Sequence, residues 1–415
     1  MSTREQFYAG ARSDRSGPLD GVRVLEATSY GAGPFCGTVL ADFGAESIKI
    51  EPPGRGDPVR QLGPFVGGQP GADAGSWYLS INRNKRGITL DLRQAEGREV
   101  FRELLAQVDI LVENFTPGVM ARWGLDYASL AADYPRLIYV SVSGFGQFGP
   151  WHHRKGFDPV AQAMGGLMSV TGERGGPPLR AGFAIADDLS GWLGAMGAMA
   201  ALHHRERCGE GQHIDSSLVD AVLYASDMGI MGAANAGEVW QRTGASVDSA
   251  GPLNSYPCAD GRYVFLHAVF DSAWRGLCEA MQRPDLVDDA RTRDFAARAA
   301  HLPFVDEVVG EWTATQSVEA VVEQAEQLGF VAGPILDFGE ICEQPHYRER
   351  GSVTSVEHPE HGELTLYGVS PKFSRTPAQV RSAAPRLGAD NDAVYRGLLG
   401  YSDDHLAALR TRGVI

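Results

Sequence analysis

Short apolar runs alternate with amphipathic stretches through the first half of the chain. Residues 22–26 (VRVLE), 47–51 (SIKIE), 109–113 (DILVE) and 137–141 (LIYVS) have the length and the β-branched content of strands. Residues 94–108 instead place Val100, Phe101, Leu104, Leu105 and Val108 on one stripe at helical spacing. The run GAGPFCG at 31–37 follows the first strand as a turn entering a helix. Strand-length and helix-length patterns in alternation predict βαβ units, and therefore an α/β fold with a parallel sheet.

The pattern changes at Asp187. Residues 189–207 read as one long helix rich in glycine and alanine. Small side chains at helical spacing let another backbone approach closely, either inside the sheet domain or at a subunit contact. Past Ala225 the chain becomes glycine-rich and polar, then resumes with a strand at 263–266 and helical segments to about Leu328. This middle piece reads as a smaller α+β domain. No internal repeat or low-complexity tract interrupts the pattern.

Composition adjusts this picture in four ways. A chain of 415 residues with 43% hydrophobic and 21% charged side chains holds two or three domains, and its core needs no disulfide or metal to close it. Five cysteines, with no CxxC pair, fit a reducing compartment. The polar first residues lack the apolar core of a signal peptide, and the most apolar stretch, 191–202, falls short of the roughly 20 residues a membrane helix needs. A cytoplasmic protein is expected. Finally, 37 basic against 52 acidic residues leave a net charge of −15, which repels nucleic acid and anionic membrane surfaces. An anionic ligand would need a local basic pocket.

Several groups of residues could carry chemistry. Gly31, Gly33 and Gly37 follow a strand as a dinucleotide fingerprint would. The third glycine comes one place late and Pro34 intrudes, which favours a tight strand-to-helix turn over an NAD site. Asp187 and Asp188 open the long helix. They suit an N-cap, and the same field keeps a carboxylate ionised, as a nucleophile requires. Arg83, Lys85, Arg86 and Arg93, with Arg122 and Lys155 further on, are either a solvated face or a phosphate site. The pairs His152–His153 and His203–His204 do not share a face, so no metal site is expected. There is no GxSxG elbow and no P-loop.

Seven segments follow one another in an order that resembles a known family: LDGVRVLE (19–26), IKIEPPGRGD (48–57), NKRGITLDL (84–92), VENFTPG (112–118), SGFGQ (143–147), FDPVAQAMGG (157–166) and HRERCGEGQ (204–212). Together they are similar to the class III CoA-transferases, which include formyl-CoA transferase and carnitine CoA-transferases, and the likeness runs from residue 19 to the terminal GVI. The resemblance implies a Rossmann-like large domain assembled from residues 1–224 and 331–415, with a small domain at 225–330. It also implies an interlocked homodimer, with the active site between the large domain of one chain and the small domain of its partner.

The resemblance implies further that Asp187 is the catalytic aspartate. It would attack an acyl-CoA thioester to give a mixed anhydride, pass through an aspartyl-CoA thioester, and hand CoA to a free carboxylic acid. CoA and its acyl esters would be substrates, with no tightly bound cofactor. The positions matching CoA contacts are Ala32, Leu90, Arg93, Asn114, Phe115, Arg122 and Lys155, with the adenine near Leu90 and Arg93 and the pantetheine running towards Asp187. There are departures. Gly31 stands where formyl-CoA transferase has a glutamine, Pro52 stands where it has an arginine, and 267–273 lacks the family's glycine-rich loop. These argue against oxalate and formyl-CoA.

The rival on the same fold is α-methylacyl-CoA racemase, whose catalytic histidine falls at Phe157 here, a side chain that accepts no proton. Two rivals of different classes are a non-catalytic CoA-binding protein and an NAD-linked oxidoreductase. The aromatic residues Phe148, Trp151 and Phe157 suit an acyl group bulkier than formyl. Donor and acceptor are left open among succinyl- or acetyl-CoA and a dicarboxylic, aromatic or carnitine-like acid.

Overall fold

The computed structural model describes residues 3–71 and 73–415. Six strands form one parallel sheet: β1 (Arg23–Ala27), β2 (Glu46–Glu51), β3 (Lys85–Thr89), β4 (Ile110–Glu113), β5 (Ile138–Ser143) and β6 (His213–Ser217). Their spatial order is β3-β2-β1-β4-β5-β6. Side chains alternate across each strand, and in a sheet covered on both faces both sets are apolar. Val24, Ile110, Val112, Ile138 and Val140 therefore pack against the helices Ala32–Asp42 and Ile185–Cys208. Leu25, Ile48, Ile50 and Leu111 face the helix Ala95–Leu105 and two C-terminal helices, Asn391–Leu399 and Asp403–Thr411. Of the six, β6 (HIDSS) is polar and has no apolar run to announce it.

The chain divides into two units. The first comprises Met1–Leu167, Ala181–Asp227 and Pro345–Ile415 and contains the parallel sheet. It also holds an antiparallel hairpin of Val353–His358 and Gly362–Tyr367, a feature with no sequence-predicted counterpart. The second comprises Met168–Arg180 and Met228–Gln344. Three antiparallel strands, Leu253–Pro257, Tyr263–His267 and Val331–Pro334, share its core with helices that bury Trp274, Leu277, Val305, Val309 and Val321. It thus starts at 228 rather than 225, ends at 344 rather than 330, and includes a stretch, 168–180, expected in the larger domain. That stretch is held by bonds to its backbone: Arg242 Nε donates to the Gly176 carbonyl at 3.0 Å, and the Gly244 N–H to that of Gly172 at 2.9 Å.

The glycines and alanines of Ile185–Cys208 are used within the first unit. A methyl on Gly191 would stand 3.0 Å from the Ala32 oxygen and the Cys36 nitrogen, and one on Gly194 would stand 3.2 Å from Cys36 Sγ. The helix therefore lies closely along Ala32–Asp42, and this close approach governs the site described below.

Of the basic residues around β3, Arg83, Lys85 and Arg86 are committed to carboxylates rather than open to a phosphate. Arg83 pairs with Asp42 at 2.6 Å and Lys85 with Glu26 at 2.9 Å, both buried. Arg86 bridges to Glu46 at 2.8 Å. Lys49–Asp57 at 2.9 Å and Arg60–Glu51 at 2.8 Å are further buried pairs. Breaking such a pair by removing one partner strands the other charge, at a cost of about 3–5 kcal/mol. No helix among the described residues is long and apolar enough to cross a membrane.

Candidate active site

In a sheet of this order, the strand sequence reverses between β1 and β4, and a crevice opens beyond their carboxyl ends. The turn that leaves β1 is fixed residue by residue. Lys49 Nζ donates to the Thr28 carbonyl at 3.0 Å. Asn114, just past β4, clamps Ser29 from both sides, accepting from its N–H at 2.9 Å and donating to its carbonyl at 2.7 Å. Tyr30, held in the left-handed region at φ 63°, donates its N–H to Asp57 at 3.1 Å. Gly31 then opens the helix Ala32–Asp42.

Asp187 lies in the first turn of Ile185–Cys208, but neither it nor Asp188 caps that helix. Asp158 does so from another segment: its Oδ1 accepts the Ala186 N–H at 2.8 Å, and its Oδ2 accepts from Gln162 at 2.7 Å. The cap is tertiary, so it could not be read from local spacing; only the FDPVAQ run marked its source. Among the described residues no hydrogen bond reaches the carboxylate of Asp187. Its Oδ2 rests over Gly31, where a β-carbon would come within 2.2 Å, and Trp77 closes the same position at 3.1 Å. The glycine is required here for room rather than for backbone freedom.

Burial raises the Asp187 carboxyl, and the charges of Asp158 and Asp188 add to it, to about 7. Burial, with Asp158 second, pushes Asp188 to about 6. The N-termini of two helices, its own and Ala32–Asp42, oppose this by favouring the anion. A carboxylate so placed, with its oxygens free of donors, is equipped to act as a nucleophile near neutral pH.

Asp187 lines a cavity of about 310 Å³ together with Ala32, Asn114, Phe115 and Lys155, four of the positions predicted to contact CoA. A second cavity, of about 580 Å³, is lined by Leu90, Arg93 and Trp123, and Phe115 lines both. Arg93 is exposed and bonds Asp91 at 2.8 Å. Arg122 is exposed beside Trp123 and lines neither cavity. The Asn114 amide is committed to Ser29, a positioning role that sequence did not disclose. Phe157, 55% exposed, stands edge-on to Tyr30 at 5.8 Å in the Asp187 cavity, so no proton acceptor occupies that position. Arg154 lines the same cavity and was not singled out from sequence. Among the described residues no group of three or more His, Cys, Asp or Glu side chains could hold a metal ion.

Comparison with known proteins adds to this geometry. The model of the family described as CoA-transferase family III matches residues 19–391. The chain is 39% identical to succinyl-CoA–D-citramalate CoA-transferase of Chloroflexus aurantiacus, over 96% of its own length and 98% of that protein. It is 38% identical to succinyl-CoA:mesaconate CoA-transferase of Haloarcula hispanica, covering 89% of this chain and 94% of the other. Among solved structures, a CAIB/BAIF family protein from Brucella suis matches with a TM-score of 0.84 and 32% identity, covering 92% of this chain and 100% of that one.

Proposed function

Since the chain belongs to CoA-transferase family III and is a class III CoA-transferase, we propose that it moves CoA from succinyl-CoA to a second dicarboxylic acid, with Asp187 as the covalent carrier. The observation that carries this reading is the Asp187 carboxylate over Gly31, donor-free and facing a cavity shared with the positions that match CoA contacts. An oxygen of Asp187 attacks the thioester carbonyl and CoA leaves as thiolate, giving a succinyl-aspartyl anhydride. The thiolate attacks the aspartyl carbonyl and succinate departs. The acceptor carboxylate then displaces CoA from the aspartyl thioester, and the thiolate attacks the acceptor's carbonyl, restoring the carboxylate. Thioester and anhydride alternate, so no ATP is consumed.

In this reading the nucleotide end of CoA occupies the larger cavity by Leu90 and Arg93, with Arg122 near its rim. The pantetheine passes Phe115 and reaches Asp187 past Ala32, Asn114 and Lys155. Lys155 supplies a local positive charge within an acidic protein. The dicarboxylic donor and acceptor rest on the names of the relatives, and on a cavity with room for more than a formyl group. The protein is further proposed to work as an interlocked homodimer. Large apolar side chains left open within the first unit, Trp192 at 48%, Met196 at 53% and Tyr224 at 80%, support burial against a second copy.

The test is mass spectrometry after incubation with succinyl-CoA, acetyl-CoA and propionyl-CoA. A CoA thioester on the peptide containing Asp187, strongest with succinyl-CoA and absent in Asp187→Asn, is expected. Solvent deuterium at an α-carbon without any adduct would instead move the protein to racemase chemistry.

A further inference from the structure

Two cations line the Asp187 cavity, Arg154 and Lys155, and among the described residues neither is in an ion pair. The family resemblance matches Lys155 to a CoA contact and leaves Arg154 without a role. Arg154 is nevertheless placed. Its guanidinium carbon sits 4.9 Å from the centroid of the Trp151 ring. Trp151 stands edge-on to Phe145 at 6.1 Å, and Phe145 packs against the core beneath the sheet. A guanidinium on an aromatic face is held through its π surface, which leaves its N–H fork free for a planar anion. The opposite side of the balance is acidic. Asp187, Asp188 and Asp158 lie together, and Asp187 borders the cavity itself, so a second carboxylate on the acyl chain would be repelled without a counter-cation.

We propose that Arg154 binds the distal carboxylate of the dicarboxylic acyl group and so determines specificity for ω-carboxyacyl-CoA over simple acyl-CoA. This rests on the reading of the reaction given above and adds to it the residue that selects the substrate class. A bidentate guanidinium–carboxylate contact is worth about 1.5–3 kcal/mol, or about 10- to 150-fold.

The experiment measures kcat/KM for succinyl-CoA and for propionyl-CoA in the wild-type enzyme, Arg154→Met and Trp151→Ala. The wild-type ratio should favour succinyl-CoA. Arg154→Met should lower that ratio about tenfold or more, and Trp151→Ala should lower it in the same direction by less. A wild-type ratio near one would overturn the dicarboxylic reading itself and this inference with it. A wild-type preference that Arg154→Met leaves intact would overturn the inference alone. An equal fall for both donors would also overturn it, because it would place Arg154 on the CoA portion common to both.

Discussion

In the proposed reaction Asp187 attacks as the anion, so protonation removes the charge that makes it a nucleophile, and burial with two acidic neighbours brings that protonation to about 7. The free-enzyme kcat/KM should therefore rise with pH to a plateau above neutrality and fall about tenfold per unit on the acid side. Asp158→Asn keeps an oxygen for the Ala186 N–H but removes a like charge, so the acid limb should move to lower pH. A limb that stays in place would mean that burial and Asp188 set it without Asp158. The same shift has a stability consequence. Between the usual carboxyl value of 3.8 and about 7, the folded protein binds a proton at Asp187 that the unfolded chain releases. This group's contribution to stability therefore falls as pH rises through that window. Asp187→Asn has no charge to desolvate and should melt a few degrees higher than the wild type at pH 8. The difference should fade towards pH 4. A lower melting temperature at pH 8 would make the carboxylate a net structural asset instead.

The contact between Ile185–Cys208 and Ala32–Asp42 brings Asp187 and Gly31 together, so damage along it should reach the chemistry. In Gly191→Ala the added methyl meets backbone, the Ala32 oxygen and the Cys36 nitrogen, which have little room to yield. Overpacking of this kind costs about 1–3 kcal/mol. A lower urea midpoint together with a fall in kcat is expected, and lost stability with unchanged kcat would show that the two helices move independently of the site. These helices and most of the parallel strands are legible in sequence because their signals are local: β-branched runs, a 3.6-residue stripe, small residues in series. The parts that are not legible depend on partners far along the chain. Arg83 finds Asp42 and Lys85 finds Glu26 across separate strands and helices, and the Asp158 cap reaches Ala186 from another segment. The polar β6 strand is stabilised by pairing with β5, which no property of its own five residues records. The role proposed for Asp187 comes only through resemblance, since its local pattern reads as an ordinary helix cap.

At the scale of the molecule, a chain of 44.6 kDa leaves Trp192, Met196 and Tyr224 open in one unit, and Trp240, Phe270 and Phe338 in the other. If these close against a second copy, sedimentation should give twice the chain mass down to low concentration, with a urea midpoint that rises with protein concentration. A monomer that retains full activity would remove the interlocked assembly from the account. The turn after β1 carries a different consequence. Thr28, Ser29 and Tyr30 are each anchored by a side chain from β2, from the loop after it, or from the residue that follows β4, while Trp151, Arg154 and Phe157 stand on an exposed excursion beyond β5. With the roles proposed for Asp187 and Arg154, reactivity and recognition are entered on separate stretches of sequence. Substitutions at Trp151, Arg154 and Phe157 would then change the acid accepted while Lys155, interleaved with them, and Asp158, which follows them and caps the Asp187 helix, stay in place, so new substrates would be open to such an enzyme by short steps that each leave a working catalyst.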